Sequence, residues 1–378
     1  MSVVILILIT AILSVFWAMV FAGHYFIYFS VNKFFGLGKD KRKKIWLATI
    51  LFFLAISFGI ASAVSRLSEN EVTKVFYFLA GLWLGAAINF DAAFFLGWIT
   101  VGAGKIFKKK INLKTVGVIA VAAALIFSAY GVWSAYSPKI KEITVKIKNL
   151  PTAWQGKTAV QISDLHLGHV FGKKFFENAV EKVNALNPKI VFITGDLFDG
   201  MDGDLASFVG PAENFLAPAG AYFVTGNHET YLGLDRTYAA LATTKIKVLN
   251  DQVENVDGLQ IIGVAYPEQS ETKKIDETIS QMAGFNPSEP SVLLYHSPFE
   301  VDRARRAGVS LMLSGHTHKG QVFPFGILAK IIFRGYDYGL HQEENFAVYV
   351  SSGLGAWGTT MRTFARPEIV VITFEAIK

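Results

Sequence analysis

The chain begins with four long apolar runs and continues with shorter runs in which apolar and polar positions alternate. The long runs cover residues 2–31, 45–64, 75–104 and 115–136. Each reaches the roughly 20 residues that a helix needs to cross a hydrocarbon core about 30 Å thick. Four buried helices of a soluble bundle would need polar faces, which these runs lack. The pattern therefore predicts a four-helix transmembrane region in residues 1–140.

Residues 141–378 have the shorter periods of strands and amphipathic helices. Strands are predicted at 141–148, 158–163, 190–194, 221–225, 246–249, 259–265, 292–295, 310–313, 346–351 and 369–374. Helices are predicted at 173–186, 204–216, 234–242, 276–283 and 298–307. Alternation of strand and helix, followed by further strands, indicates one layered α/β domain.

Composition narrows the class of protein. Hydrophobic residues make up 52% of the chain and charged residues 17%, which excludes intrinsic disorder and is unusual for a soluble protein. The absence of cysteine excludes a disulfide scaffold, a thiolate metal site and a cysteine nucleophile. The net charge of +6, taken alone, suggests a nucleic-acid or membrane-surface partner.

That net charge is an average over two unlike halves. Residues 1–140 carry 14 Lys+Arg and 4 Asp+Glu, whereas residues 141–378 carry 22 and 26. The basic side chains of the first half lie mainly in the loops that join the apolar runs. Loop charge accounts for the excess, so we expect the lipid bilayer as a partner and no nucleic acid.

The same loops predict how the chain is oriented. Residues 33–44 hold six Lys+Arg and residues 105–114 hold five, but residues 66–74 hold only two. Because basic loops stay on the cytoplasmic side, the first and third loops are expected there. Both the N-terminus and residues 141–378 then lie outside, in an integral protein of a bacterial-type cytoplasmic membrane.

One ionisable residue interrupts the third apolar run. Asp91 lies near its middle, where a charge is costly and marks a candidate functional site. The alternative is a protonated side chain or a hydrogen bond between helices, for example with Tyr25 or Tyr28.

Polar residues collect directly after five of the predicted strands. The segments read D-L-H-L-G-H at 164–169, G-D-L-F-D at 195–199, G-N-H-E at 226–229, Y-H-S-P at 295–298 and G-H-T-H at 315–318. Ligands bind at the carboxyl ends of strands in α/β sheets. Carboxylate, imidazole and amide groups without sulfur suit Mn, Fe, Zn or Mg. The five segments together predict a metal site.

This series of motifs resembles the calcineurin-like metallophosphoesterase superfamily. G-H-T-H-K-G-Q-V at 315–322 and S-S-G-L-G-A-W-G from residue 351 are similar to its membrane-bound bacterial branch. The resemblance implies a two-sheet β-sandwich flanked by helices and two divalent metal ions. The implied ligands are Asp164, His166 and His318 for the first ion, Asn227, His296 and His316 for the second, and Asp196 as the bridge between them.

The resemblance also implies roles for residues that do not bind metal. His228 would face the leaving group of the substrate, paired with the carboxylate of Asp199, while a water activated by the two ions attacks phosphorus. Many relatives have Arg after the G-D-x-x-D motif, but this chain has Gly200, which disfavours protein phosphatase activity. Candidates for positive charge toward the substrate are His169, Lys319, Arg334 and Arg362.

The leading hypothesis is a membrane-anchored phosphohydrolase of a phosphodiester, pyrophosphate or phosphomonoester, acting on a lipid-linked or membrane-proximal substrate. Some relatives hydrolyse the lipid A precursor UDP-2,3-diacylglucosamine, which is cytoplasmic. An external domain instead favours a polyprenyl phosphate, a phospholipid headgroup or an envelope polymer. The alternative is a membrane sensor or scaffold with an inactive phosphoesterase domain. The oligomeric state is left open.

Overall fold

The computed structural model describes residues 3–38, 40–68, 70–200, 203–268 and 273–377. The expected start of the first span at residue 2 lies outside these residues. The chain divides into two compact units, Met1–Trp133 with Gly358–Thr363, and Ser134–Trp357 with Phe364–Lys378. The domain boundary at residue 140 remains a sequence-based prediction.

Four long helices form the first unit, and the structure confirms the four apolar helices expected from the sequence. They are α1 Val3–Phe34, α2 Lys41–Leu67, α3 Glu71–Ile106 and α4 Leu113–Ala135. Each is long and apolar enough to cross a membrane. Asp40 and Asn70 cap the N-termini of α2 and α3 through their side-chain oxygens, which satisfies amides that the helices themselves leave unpaired.

Polar side chains inside the helical unit bond to one another across helices. Trp83 Nε1 lies 2.9 Å from His24 Nε2, and Asn89 Nδ2 lies 2.9 Å from Ser128 Oγ. In hydrocarbon an unpaired polar group is costly, so such bonds hold helices in register. Asp91 packs against Gly23, and its Oδ1 is buried with no hydrogen-bond partner among the described residues. The bond considered from Tyr25 or Tyr28 therefore does not reach this oxygen.

A short segment from the far end of the chain belongs to the helical unit. Gly358–Thr363 packs there against α3 and α4. Met361 occupies the space that a side chain at Gly85 would fill, and the Arg362 amide donates to the Gly131 carbonyl at 2.9 Å. Because these glycines have no side chains, the segment can pack closely against the two helices.

Twelve strands and seven helices are described in the second unit, and these confirm the α/β class with two sheets. The strands are β1 Lys139–Ile147, β2 Thr158–Ile162, β3 Ile190–Thr194, β4 Ala221–Val224, β5 Ile246–Val248, β6 Gln252–Val256, β7 Leu259–Gly263, β8 Ser291–Leu294, β9 Leu311–Ser314, β10 Gly339–Glu343, β11 Phe346–Val350 and β12 Glu368–Ala376. The helices are α5 Lys173–Ala185, α6 Leu205–Val209, α7 Asn227–Leu232, α8 Leu234–Leu241, α9 Ile275–Ser280, α10 Val301–Arg306 and α11 Phe325–Ile332.

Each sheet has six strands. The orders are β1-β12-β2-β3-β4-β5 and β10-β11-β9-β8-β7-β6. Strands β2 to β5 are parallel, as are β7, β8, β9 and β11. Elements not predicted from the sequence are β6, β10, α7 and α11. The first two are sheet-edge strands with mostly exposed or half-buried residues, so their apolar alternation is weak.

Successive residues of the central strands point to opposite faces of their sheet and pack in different hydrophobic cores. Phe192 of β3 lies in the core between the two sheets, whereas its neighbours Val191 and Ile193 pack in the core with α5 and α8. On the second sheet, Ile261 faces the shared core and Ile262 packs with α9 and α10. A strand buried on both faces explains why its sequence is continuously apolar.

Truncation of Phe192 tests this layered core. Phe192 is fully buried, so Phe192→Ala should lower the free energy of unfolding by about 3–5 kcal/mol. The matched control is Leu216→Ala, because Leu216 is 71% exposed and should change it by less than about 0.5 kcal/mol. Denaturant unfolding of the detergent-solubilised protein measures both. Equal effects of the two substitutions would contradict the assignment of Phe192 to the core.

Candidate metal centre

The motif residues meet because five strands end at one edge of the paired sheets. Asp164 follows β2, Asp196 follows β3, Asn227 follows β4, His296 follows β8 and His316 follows β9. Parallel strands place their carboxyl ends together, which is where α/β sheets bind ligands. The two sheets are bonded to each other just below, since the side-chain amide of Gln161 donates to the carbonyl of Ser314 at 3.0 Å.

The backbone turns sharply at the motifs. Asp164, His166, Asp196, His316 and His318 all have positive φ, between 47° and 72°. Non-glycine residues adopt this region at an energetic cost that clusters at functional sites. Each turn directs a side chain toward its neighbours instead of continuing the strand.

Two motif glycines lie where a neighbouring part of the chain comes too close for a side chain. A Cβ at Gly315 would collide with Ser163 and Asp164, and one at Gly226 would collide with Asp196. The Gly in G-N-H-E and in G-H-T-H therefore has a packing reason in this fold.

The first group of ligand atoms comes from Asp164, His166 and His318, which lie within 4.8 Å of one another. His318 Nε2 is 3.6 Å from Asp164 Oδ1, and the Nε2 atoms of His166 and His318 are 3.1 Å apart. These are the residues that the family resemblance assigned to the first metal ion.

The second group comes from Asp196, His296 and His316, whose ligand atoms also lie within 4.8 Å of one another. His296 Nε2 is 3.0 Å from Asp196 Oδ2 and 3.1 Å from His316 Nδ1. Asp196 also belongs to a group with His166 and His228. It is thus shared between clusters, which is the position expected of a bridging carboxylate.

The donor set fits divalent cations. Asp164 Oδ2, His166 Nδ1 and Asn227 Oδ1 are buried with no hydrogen-bond partner among the described residues. Buried polar atoms without partners are costly, and cations held by Asp164 and Asn227 would lower that cost. Oxygen and imidazole donors of this kind suit Mn, Fe, Zn or Mg.

Burial and mutual charge shift the pKa values of these residues. Burial raises the pKa of Asp164. Burial alone would also raise that of Asp196, but the positive charges of His296 and His228 hold the pKa of Asp196 well below its usual range. Burial, followed by the charge of His296, lowers the pKa of His316 to about 3. His316 is therefore neutral, as a metal ligand must be.

His228 lies beside the cluster, but its contact with Asp199 differs from the expected carboxylate pairing. His228 Nδ1 lies 2.9 Å from the main-chain carbonyl of Asp199. The carboxylate of Asp199 instead lies 3.6 Å from His166 Nδ1. A carbonyl oxygen only accepts, so Nδ1 of His228 carries the proton and Nε2 remains available for proton transfer. The backbone of Asp199 thus orients His228, which the sequence motif alone could not reveal.

Glu229 is a fully buried residue whose role the sequence did not predict. Its carboxylate accepts from the amides of Asp196, Phe198 and Gly226 at 3.0, 3.0 and 2.6 Å. These bonds join the loop after β3 to the loop after β4. Burial, followed by the charge of Asp196, raises the pKa of Glu229 to about 7. Glu229 is the last residue of the G-N-H-E motif. Its hydrogen-bond partners are main-chain amides, which cannot be identified from a sequence motif.

Aromatic side chains that the sequence did not single out surround the histidines. The rings of Tyr231 and Trp357 lie 5.4 and 5.6 Å from that of His228, and both side chains are more than half exposed. Tyr266 and Phe333 lie 6.2 and 5.8 Å from His316. These four aromatic side chains therefore lie around the candidate metal centre.

The four candidates for substrate contact have different surroundings. His169 is half-buried in the turn after β2, and the Lys319 ammonium lies 3.9 Å from the centre of the Tyr338 ring. Arg334 is exposed at the end of α11. Arg362 is fully buried in Gly358–Thr363 of the helical unit. Contact of these four residues with a substrate stays a prediction.

The fold and this cluster define a class of protein. Residues 157–320 match the calcineurin-like phosphoesterase family, so this part of the chain is a calcineurin-like metallophosphoesterase domain.

Named relatives agree with that class. An uncharacterized metallophosphoesterase of Helicobacter pylori is 33% identical over 62% of this chain and 63% of its own length. Transmembrane proteins with a metallophosphoesterase domain from Danio rerio and Bos taurus are 31% and 29% identical over 68% and 88% of this chain. The matches cover 62% and 81% of those two relatives. The chain therefore spans less than two thirds of the Helicobacter and Danio proteins.

Substitution of Glu229 tests whether it positions the metal ligands. Glu229→Gln removes the charge and replaces an acceptor oxygen by a donor, so the bonds to three amides cannot all persist. We expect divalent-metal affinity to fall about 10–100-fold, as for other residues that orient ligands. Isothermal titration with Mn²⁺ measures this. The control is Glu213→Gln, a surface residue that pairs with Lys245. Unchanged affinity in Glu229→Gln would contradict the positioning role.

Proposed function

We propose that this protein is a membrane-anchored, dinuclear-metal phosphohydrolase. The observation that carries the proposal is the set of ligand groups converging on Asp196. Asp164, His166 and His318 would hold one divalent ion, Asn227, His296 and His316 the other, and Asp196 both. Bound cations of this kind lower the pKa of a bound water and offset charge on phosphoryl oxygens.

The residues around the metals have separable tasks in the proposed reaction. His228, whose Nδ1 proton is held by the carbonyl of Asp199, would in its doubly protonated form donate the Nε2 proton to the departing oxygen and become neutral, which is general acid catalysis. Its own amide donates to Asp196 Oδ1 at 2.9 Å, so the acid and the bridging carboxylate keep a fixed relation. No residue of the chain need form a covalent intermediate.

The surroundings of His228 support a substrate with an apolar or ring-bearing leaving group. Tyr231 and Trp357 present exposed rings next to the proposed acid. Together with the four membrane-spanning helices, this favours a lipid-linked or membrane-proximal phosphoester. A tethered enzyme meets such a substrate at high effective concentration. The loop charges support an orientation in which the domain lies outside a bacterial-type cytoplasmic membrane.

Hydrolysis of bis-p-nitrophenyl phosphate with Mn²⁺ tests the activity. Asp196→Ala should abolish turnover because ligands to both ions lose their shared carboxylate, whereas the surface substitution Asp302→Ala should not change it. His228→Ala should lower kcat about 10²–10⁴-fold while metal content stays unchanged, with His341→Ala as its control. Full activity in Asp196→Ala would reject the proposal, and no activity in the unsubstituted protein would favour an inactive scaffold.

Reporter fusions test the side of the membrane. Alkaline phosphatase fused after residue 378 should be active and green fluorescent protein at the same point dark, because the domain is expected outside. Fusions within residues 105–114 serve as the control and should give the opposite pattern. A fluorescent, phosphatase-inactive fusion at residue 378 would place the domain in the cytoplasm.

A further inference from the structure

Helix α11 has its large apolar residues on the outside. Gly326 and Ala329 face the domain and are buried, and Gly326 packs against the ring of Phe364. Ile327, Leu328 and Ile331 are 61%, 50% and 69% exposed. A surface helix normally buries its large apolar residues against the core, so α11 is amphipathic in the reverse sense.

The exposed side chains of α11 form one continuous face. At about 100° per residue, Ile327, Leu328, Ile331 and Ile332 span an arc of about 140° on the side opposite Gly326 and Ala329. Phe323 and Phe325, just before and at the start of the helix, are also exposed. We call these six residues the α11 surface. Exposed apolar surface that is continuous marks an interaction site.

The α11 surface is connected to the metal centre by packed rings. Phe333 follows α11 directly and lies 5.8 Å from the ring of His316. It also lies 4.6 Å from the ring of Phe299, whose side chain is 58% exposed. Apolar surface therefore runs from a metal-ligating histidine to the helix.

The charged residues within the segment that carries the α11 surface have one sign. Residues 315–336 contain Lys319, Lys330 and Arg334 but no Asp or Glu. Exposed Lys330 and Arg334 flank the apolar arc. Basic residues beside an exposed apolar helical face are typical of helices that lie in a membrane interface, where they meet anionic headgroups.

We propose that the α11 surface docks into the headgroup and acyl boundary of the bilayer that the four apolar helices cross. The partner is a lipid surface containing anionic lipid. A bilayer is already required by the same chain, and both the apolar arc and its basic border match it. Two copies of α11 paired face to face would instead bring Lys330 and Arg334 near their equivalents. The inference does not depend on catalytic activity.

Site-specific fluorescence tests the proposal, because the chain contains no cysteine and one introduced thiol can be labelled uniquely. Ile331→Cys is labelled with a polarity-sensitive fluorophore in full-length protein held in nanodiscs of phosphatidylcholine and phosphatidylglycerol. Nitroxide-bearing lipids should quench this label at least twofold. The control is Leu216→Cys, equally exposed at 71% and far from α11 in sequence, whose label should not be quenched.

Each other outcome overturns the proposal. A label at position 331 with water-like emission and no quenching shows that the helix lies in solvent. Blue-shifted emission without quenching by nitroxide lipids shows a protein partner or a second copy instead of lipid. Ile327→Cys repeats the measurement at a second position of the same face. Since no turnover is measured, an inactive enzyme does not affect the result.

Discussion

The interaction on which the site depends is the set of contacts made by Asp196. One carboxylate oxygen accepts from the His228 amide and the other approaches His296, while its own amide donates to Glu229. Asp196 thereby ties the loop after β3 to those after β4 and β8. Several buried carboxylates lie together here, and like charges repel strongly in a poorly solvated environment. Bound cations would balance these negative charges. Metal binding would therefore stabilise the packing of the strand ends.

The parts of the fold that the sequence predicted are those with local periodicity. Apolar runs of membrane length and the doubly buried strands β2 and β3 are evident from residue order alone. The convergence of Asp164, Asp196 and His316 also followed, because parallel strands end at the same edge. Edge strands β6 and β10 escaped prediction, since one-sided burial leaves little pattern in short polar segments.

What the sequence could not provide depends on main-chain geometry and on distant packing. Glu229 acts on amides, and His228 is held by a carbonyl of Asp199 where a carboxylate was expected. Trp357 reaches His228 from a loop far along the chain. Helix α11 was missed because it has only eight residues, nearly all of them apolar. Arg362, a candidate for substrate contact, is buried within the helical unit, and its role toward a substrate stays a prediction.

The segment Gly358–Thr363 makes the two units interleaved in chain order. The chain leaves β11, contributes Trp357 to the surroundings of His228, supplies six residues to the helical unit and returns as β12. Deleting the four helices from the N-terminal side therefore does not remove the whole helical unit, because Gly358–Thr363 remains in the chain. A soluble enzyme made by deleting residues 1–133 would keep Met361 and Arg362 but lose their packing partners. A truncated variant would therefore need a new sequence for Gly358–Thr363 as well as removal of the helices.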